Sequence, residues 1–133
     1  MNLRKTISIL IGFGTIGLLS SILAKLQGMI FPSSLQIFTD PNLASTSTLQ
    51  FTIKLVCVLV SCLFGGMLTT GIGGGIRENL IVGGLIMLVT GWLWLSTIHP
   101  NIFWLSLLSG VLPAVLLGRK LMYTIQTWAP VLR

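Results

Sequence analysis

Residues 51–71 read FTIKLVCVLVSCLFGGMLTTG, and after a glycine-rich break residues 79–98 read NLIVGGLIMLVTGWLWLSTI. Each stretch is about 20 residues long, the length a helix needs to cross the hydrocarbon core of a bilayer. Lys54 is the only charged residue in the two stretches. The pattern predicts two transmembrane helices joined by a short turn.

Two further apolar stretches flank this pair, at about residues 6–25 and 102–118. The whole chain of 133 residues is 53% hydrophobic and only 8% charged, whereas a soluble domain is about one quarter charged. We therefore expect an all-α membrane protein in which four transmembrane helices form a compact bundle with short loops. The chain would be one domain, residues 1–133, with little left for an extramembrane domain.

The segments beside the first and fourth spans are less apolar. Residues 26–38 extend the first span until Pro32 stops the helix, and we expect them to lie in the membrane interface. Arg119 and Lys120 are expected to end the fourth span. Residues 121–133 repeat apolar side chains at helical intervals, which favours a second interfacial segment.

The basic residues predict the orientation of the spans. They divide six to two between the sides, with Arg4, Lys5, Arg77, Arg119, Lys120 and Arg133 against Lys25 and Lys54. Because Lys and Arg are enriched in cytoplasmic segments, both termini should be cytoplasmic, in a bacterial inner membrane. We expect the first span to be an uncleaved anchor. The net charge of +6 then reflects topology and membrane lipid rather than nucleic acid.

Glycine is the second conspicuous feature. Gly12, Gly14 and Gly17 have the G-x-G-x-x-G spacing of dinucleotide-binding loops, but such loops join a strand to a helix, whereas these glycines lie inside an apolar stretch. Close helix packing is the better interpretation, since small residues let helix backbones approach each other in lipid. We expect the same role for a larger set of glycines: Gly65, Gly66, Gly83, Gly84, Gly91, Gly110 and Gly118.

A faint internal repeat relates the first and third spans. Several identical residues are separated by 70 positions, which favours a 2+2 arrangement of the helices. Apolar helices also produce such matches by chance. The matched pairs are Leu10/Leu80, Ile11/Ile81, Gly14/Gly84, Ile16/Ile86 and Leu18/Leu88.

The break between the second and third spans, Gly71 to Gly75, has two interpretations. In the first interpretation, the backbone N–H groups of Gly73, Gly74 and Gly75 form an anion-binding turn beside Arg77. This turn would contact a lipid phosphate on the cytoplasmic side. Alternatively, the glycines only end one helix and begin the next.

A second candidate site lies on the opposite side. Lys25, Asp40, Lys54 and His99 are all predicted there and would surround an outward-facing vestibule, whose positive charge favours an anionic ligand, a lipid headgroup or an acidic partner. The alternative for Lys54 is that its long side chain only extends to the headgroups.

The remaining chemistry is sparse. Cys57 and Cys62 are five residues apart, which places them on different faces of a helix and suits packing rather than a disulfide. No motif surrounds any candidate nucleophile, so we expect no catalytic residues, no metal and no cofactor.

We therefore expect a small polytopic protein that acts as a non-catalytic accessory or interaction subunit. Its partners would be membrane lipid and either further copies of itself or a larger membrane complex. The alternative is a small channel, transporter or lipid-binding protein that uses the basic vestibule.

Overall fold

The computed structural model of the chain describes residues 3–30, 48–96 and 101–128. These residues form four α-helices: α1 (Leu3–Ile30), α2 (Thr48–Gly71), α3 (Ile76–Ser96) and α4 (Asn101–Trp128). All four are long and apolar enough to cross a membrane, and they pack together. The prediction of an all-helical bundle with four such helices is confirmed.

Two helices extend further than the predicted spans. α1 continues past Lys25 to Ile30, and α4 contains Pro113 and continues past Arg119 and Lys120 to Trp128. Lys and Arg are good helix formers, so a basic pair can mark the end of an apolar segment without ending the helix. Residues 121–128 therefore belong to α4, while residues 31–38 and 129–133 lie outside the described part of the chain.

The helices form a closed ring in the order α1, α2, α4, α3. α2 packs extensively against α1 and against α4, and α4 also packs against α3. α3 closes the ring by a smaller contact with α1. Although α2 and α3 are consecutive in the chain, they contact each other little.

The centre of this ring is filled by side chains. Cys62, Val82, Val111 and Val115 are completely buried, and Ile16 is nearly so. At one end of the bundle, the rings of Phe51 on α2 and Phe103 on α4 lie 5.7 Å apart. The interior is thus a packed core.

Glycines bring α1 and α2 into backbone contact. A Cβ atom added at Gly12 would meet the Thr69 hydroxyl and lie 3.3 Å from the Gly65 carbonyl oxygen. A Cβ added at Gly65 would meet the Ile16 side chain and lie 3.0 Å from the Gly12 carbonyl oxygen. Larger residues at either position would force the two helices apart.

The contact between α2 and α4 is reciprocal. A Cβ added at Gly66 would meet the carbonyl of Val115, and one added at Gly118 would meet the carbonyl of Leu63. Gly66 and Gly118 are separated by 52 positions, as are Leu63 and Val115 and the pair of tilted rings Phe51 and Phe103. Reciprocal contacts of this kind are what a two-fold axis between the two helices produces.

The repeat between α1 and α3 agrees with this symmetry. At a separation of 70 positions, Leu10, Gly14 and Leu18 on α1 correspond to residues that are also exposed on α3, and the buried Ile16 corresponds to a buried residue. At these positions the exposed and buried faces of α1 and α3 correspond. The counterparts on α3 are Leu80, Gly84 and Leu88, all exposed, and Ile86, which is buried.

The outer surface of the bundle is apolar. In the most apolar 18-residue window of each helix, only 22 to 33% of the residues are buried. Large side chains such as Leu10, Leu88 and Trp92 are between 65 and 71% exposed. The surface is thus unlike that of a domain that folds in water.

Candidate functional site

The turn between α2 and α3 is a glycine-dependent helix end. Gly73 has a φ of +110°, a conformation that side chains rarely adopt. The Gly73 amide donates to the Thr70 carbonyl at 3.0 Å, and the Gly74 amide donates to the Thr69 carbonyl at 2.9 Å. This pair of bonds is the Schellman arrangement, which satisfies the last carbonyls of a helix. The geometry matches the helix-ending interpretation of the turn.

The first turn of α3 is capped by its own acidic residue. The Gly75 amide donates to Glu78 Oε2 at 2.7 Å, as in the second half of a capping box. Asn79 Nδ2 donates to the Gly75 carbonyl at 2.9 Å and to Thr70 Oγ1 at 3.0 Å. Because Asn79 is fully buried, these bonds tie the end of α2 to the start of α3.

The N-terminal turn of α1 holds the same region from the other side. Arg4 Nε donates to the Ile72 carbonyl at 2.9 Å, and Lys5 Nζ lies 3.4 Å from Glu78 Oε1. Ser8 is fully buried beside Gly74. We call Arg4, Lys5, Glu78, Asn79 and Gly73–Gly75 the turn lock. It joins three helices at one end of the bundle.

The turn lock corrects the anion-binding interpretation of the glycines. The amides of Gly73, Gly74 and Gly75 all donate within the chain, so these N–H groups are not available to an external anion. Arg77 is exposed beside them. Sequence reasoning missed the roles of Arg4, Lys5 and Asn79, because the ion pair with Glu78 joins residues more than 70 positions apart.

The predicted vestibule is only partly described. Lys54 is half-buried in a cavity of about 230 Å³ between α1 and α2, which we call the α1–α2 groove. Lys25 is exposed on α1 and does not line this groove, whereas Gln27 does, and its Nε2 donates to the Gln50 carbonyl at 3.0 Å. Asp40 and His99 lie outside the described residues. The lining of the groove is Ser20, Ser21, Ala24, Gln27, Lys54, Cys57 and Val58.

A larger cavity of about 450 Å³ lies between the start of α3 and the C-terminal part of α4, and we call it the basic groove. The guanidinium of Arg119 lies 5.1 Å from the centre of the Tyr123 ring. Arg119 Nε is buried and has no hydrogen-bond partner among the residues that the structure describes. From the sequence, Arg119 and Lys120 predict the orientation and the end of the fourth span but not a groove. The groove is lined by Ile76, Leu116, Arg119, Lys120, Tyr123, Thr124 and Thr127.

The glycines expected to pack helices fall into two groups. Gly83 lies against Leu112 and Gly110 against Leu59, and Gly12, Gly65, Gly66 and Gly118 make the contacts given above. The second group has no neighbour within 4 Å among the described residues, so a packing role for its members requires a partner outside this part of the chain. These glycines are Gly14, Gly17, Gly84 and Gly91.

Residues 3–30, 48–96 and 101–128 contain no group of three His, Cys, Asp or Glu side chains able to hold a metal ion. Cys57 and Cys62 are both free thiols. The chain matches no protein-family model, no curated protein and no solved structure.

Proposed function

We propose that the four helices cross a bacterial inner membrane and that both termini lie in the cytoplasm. The apolar outer surface supports insertion, because a helix bundle satisfies its backbone hydrogen bonds internally and can face hydrocarbon. Four crossings return the chain to the side on which it began. The excess of Lys and Arg beside the termini and the turn lock makes that side the cytoplasm.

We propose further that the protein is a non-catalytic accessory subunit that binds other membrane helices, with no cofactor and no nucleic-acid partner. The observation that carries this proposal is the pair of matching faces on α1 and α3. Each face presents an exposed glycine between two exposed leucines, Leu10–Gly14–Leu18 on α1 and Leu80–Gly84–Leu88 on α3. A helix of a partner can approach such a face closely, and van der Waals contact then drives association in lipid.

The filled interior supports an interaction role over a pore within one copy. Val82, Val111 and Val115 are completely buried along the centre, and Gly66 and Gly118 hold α2 and α4 in backbone contact. A water-filled path through a single bundle would have to separate these helices. Any pathway would instead lie in a groove or between copies.

Affinity purification from native membranes tests the proposal. Wild type should retain a larger membrane protein in a fixed ratio, and the double variant Gly14→Leu, Gly84→Leu should lose it. Both positions have open space at Cβ, so the variant should keep its own fold. A matched control is Val56→Phe, which enlarges an exposed side chain on α2 and should retain the partner.

Two results would contradict the interaction role. One is a partner that stays bound in the Gly14→Leu, Gly84→Leu variant while Val56→Phe removes it. The other is a purified homo-oligomer with no other component that conducts or binds a solute in liposomes.

That second result would favour the other candidate function, a small channel, transporter or lipid-binding protein. The α1–α2 groove supports it, because Lys54 gives this cavity a positive charge beside the polar groups of Ser20, Ser21 and Gln27. Anionic solutes or headgroups would be selected there. Replacing Lys54 with Met should then abolish solute selectivity without changing the fold, whereas an accessory subunit would retain its partner.

A further inference from the structure

We propose that the basic groove binds an anionic phospholipid, with the lipid phosphate beside Arg119 and Lys120 and an acyl chain along Ile76 and Leu116. This inference rests on the membrane insertion proposed above, but not on the accessory role. It assigns a ligand to a cavity that is separate from both the turn lock and the α1–α2 groove.

The charge of Arg119 is not balanced within the described residues. The chain has two acidic residues, and Glu78 is the one that the structure describes. Its carboxylate is already used, with Oε1 at 3.4 Å from Lys5 and Oε2 accepting from the Gly75 amide at 2.7 Å. Arg119 is half-buried, so its charge is partly withdrawn from solvent, and an external anion would supply the missing counter-charge.

The geometry of Arg119 favours a phosphate. Tyr123 holds the guanidinium by a cation–π contact at 5.1 Å, which fixes the group at the wall of the groove. The buried Nε atom has no acceptor within residues 3–30, 48–96 and 101–128. A fixed guanidinium matches the oxygens of a phosphate better than a flexible amine does, and the exposed Lys120 adds a second charge at the rim.

The other walls of the groove favour a lipid over a soluble anion. Ile76 and Leu116 are apolar and leave the groove open along the side of the bundle. The hydroxyls of Thr124 and Thr127 donate to the Lys120 and Thr124 carbonyls at 3.1 and 2.7 Å. The side-chain donors that remain for an anion are therefore those of Arg119 and Lys120 and the Tyr123 hydroxyl, next to an apolar wall that suits an acyl chain.

The test is native mass spectrometry of the detergent-purified protein with equal amounts of phosphatidylglycerol and phosphatidylcholine that carry the same acyl chains. Wild type should retain phosphatidylglycerol preferentially. In the double variant Arg119→Gln, Lys120→Gln, the ratio of bound phosphatidylglycerol to bound phosphatidylcholine should fall about thirtyfold, because each basic residue contributes about 1 kcal/mol to the preference. Lys25→Gln removes an exposed cation on α1 that lines neither groove and is the control, which should bind as wild type does.

A second variant guards against misfolding of the first. Thr124 is exposed, so Thr124→Glu should fold normally, and its carboxylate should repel the phosphate and compensate the local positive charge. An unchanged lipid preference in both variants would overturn the proposal. An equal loss in Lys25→Gln would also overturn it, because the lipid preference would then depend on the net charge of the protein rather than on the basic groove. Displacement of the lipid by excess inorganic phosphate would show a site for soluble anions instead.

Discussion

Gly66 and Gly118 lie where the backbones of α2 and α4 touch, and replacing either with alanine should lower the free energy of unfolding. Because the two contacts are reciprocal, the two losses should depend on each other. In Gly66→Ala, the new methyl group meets the Val115 carbonyl, and in Gly118→Ala it meets the Leu63 carbonyl and lies 3.1 Å from the Met67 amide nitrogen. The helices must separate by about 1 Å to restore an ordinary contact, and such overpacking costs about 1–3 kcal/mol. Alanine has a higher helix propensity than glycine, which offsets up to about 1 kcal/mol of this cost. Each variant should therefore lose about 1–2 kcal/mol of unfolding free energy.

The double variant distinguishes this explanation from two independent clashes. One separation of α2 from α4 relieves both contacts, because they are related by the two-fold arrangement. The combined loss for Gly66→Ala with Gly118→Ala should therefore be smaller than the sum of the single losses by about 1 kcal/mol. Gly14→Ala and Gly84→Ala are the controls, and with open space at Cβ they should gain up to about 1 kcal/mol.

The assay is reversible unfolding in mixed micelles with increasing dodecyl sulfate, followed by far-ultraviolet circular dichroism. The change in unfolding free energy should have opposite signs for the glycines in contact, Gly66 and Gly118, and for those with open space at Cβ, Gly14 and Gly84. It is refuted if Gly66→Ala stabilises the protein as Gly14→Ala does, or if the losses at Gly66 and Gly118 add fully.

Three further predictions concern the turn lock and the α1–α2 groove. Asn79→Ala should lower the unfolding free energy by about 1–3 kcal/mol in the same assay, because the Thr70 hydroxyl and the Gly75 carbonyl lose the hydrogen bonds from Asn79. An unchanged value would contradict these contacts. Glu78→Ala should destabilise the protein more than Glu78→Gln, which keeps an oxygen for the Gly75 amide; equal losses would mean that this cap contributes nothing. Cys57 lines the groove with Lys54, which attracts a sulfonate and repels an ammonium group by about 1 kcal/mol each, so a sulfonate-bearing thiosulfonate reagent should modify it about thirtyfold faster than an ammonium-bearing one. Lys54→Gln should remove that difference, and its persistence would show that Lys54 does not set the charge of the groove.

The four helices could be predicted from the sequence because their signal is local. A run of about 20 apolar residues is sufficient to identify a span. The helix ends were less accessible, since Arg119 and Lys120 mark a change in polarity that α4 does not follow. Helix propensity and hydropathy are different properties of the same residues, and only hydropathy changes there.

The contacts between helices could not be predicted, because they depend on rotation and on neighbours distant in the chain. Gly12 and Gly14 belong to the same apparent motif, yet Gly12 touches Thr69 while Gly14 faces open space. The glycine turn had the composition of an anion site, but its amides are used to end α2 and begin α3. The basic groove likewise needs α3 and α4 together, and the sequence alone showed only two adjacent charges.

The most direct test of the account is labelling of single cysteines in native membranes with an impermeant maleimide, after Cys57→Ser and Cys62→Ala. Leu88→Cys, in α3 on an exposed apolar face, should label only after the membrane is dissolved and the protein denatured. Arg77→Cys and Trp128→Cys should both label from the cytoplasmic side alone. Rapid labelling of Leu88→Cys in intact membranes, or labelling of Arg77→Cys and Trp128→Cys from opposite sides, would contradict a four-span protein with its turn lock and α4 end in the cytoplasm.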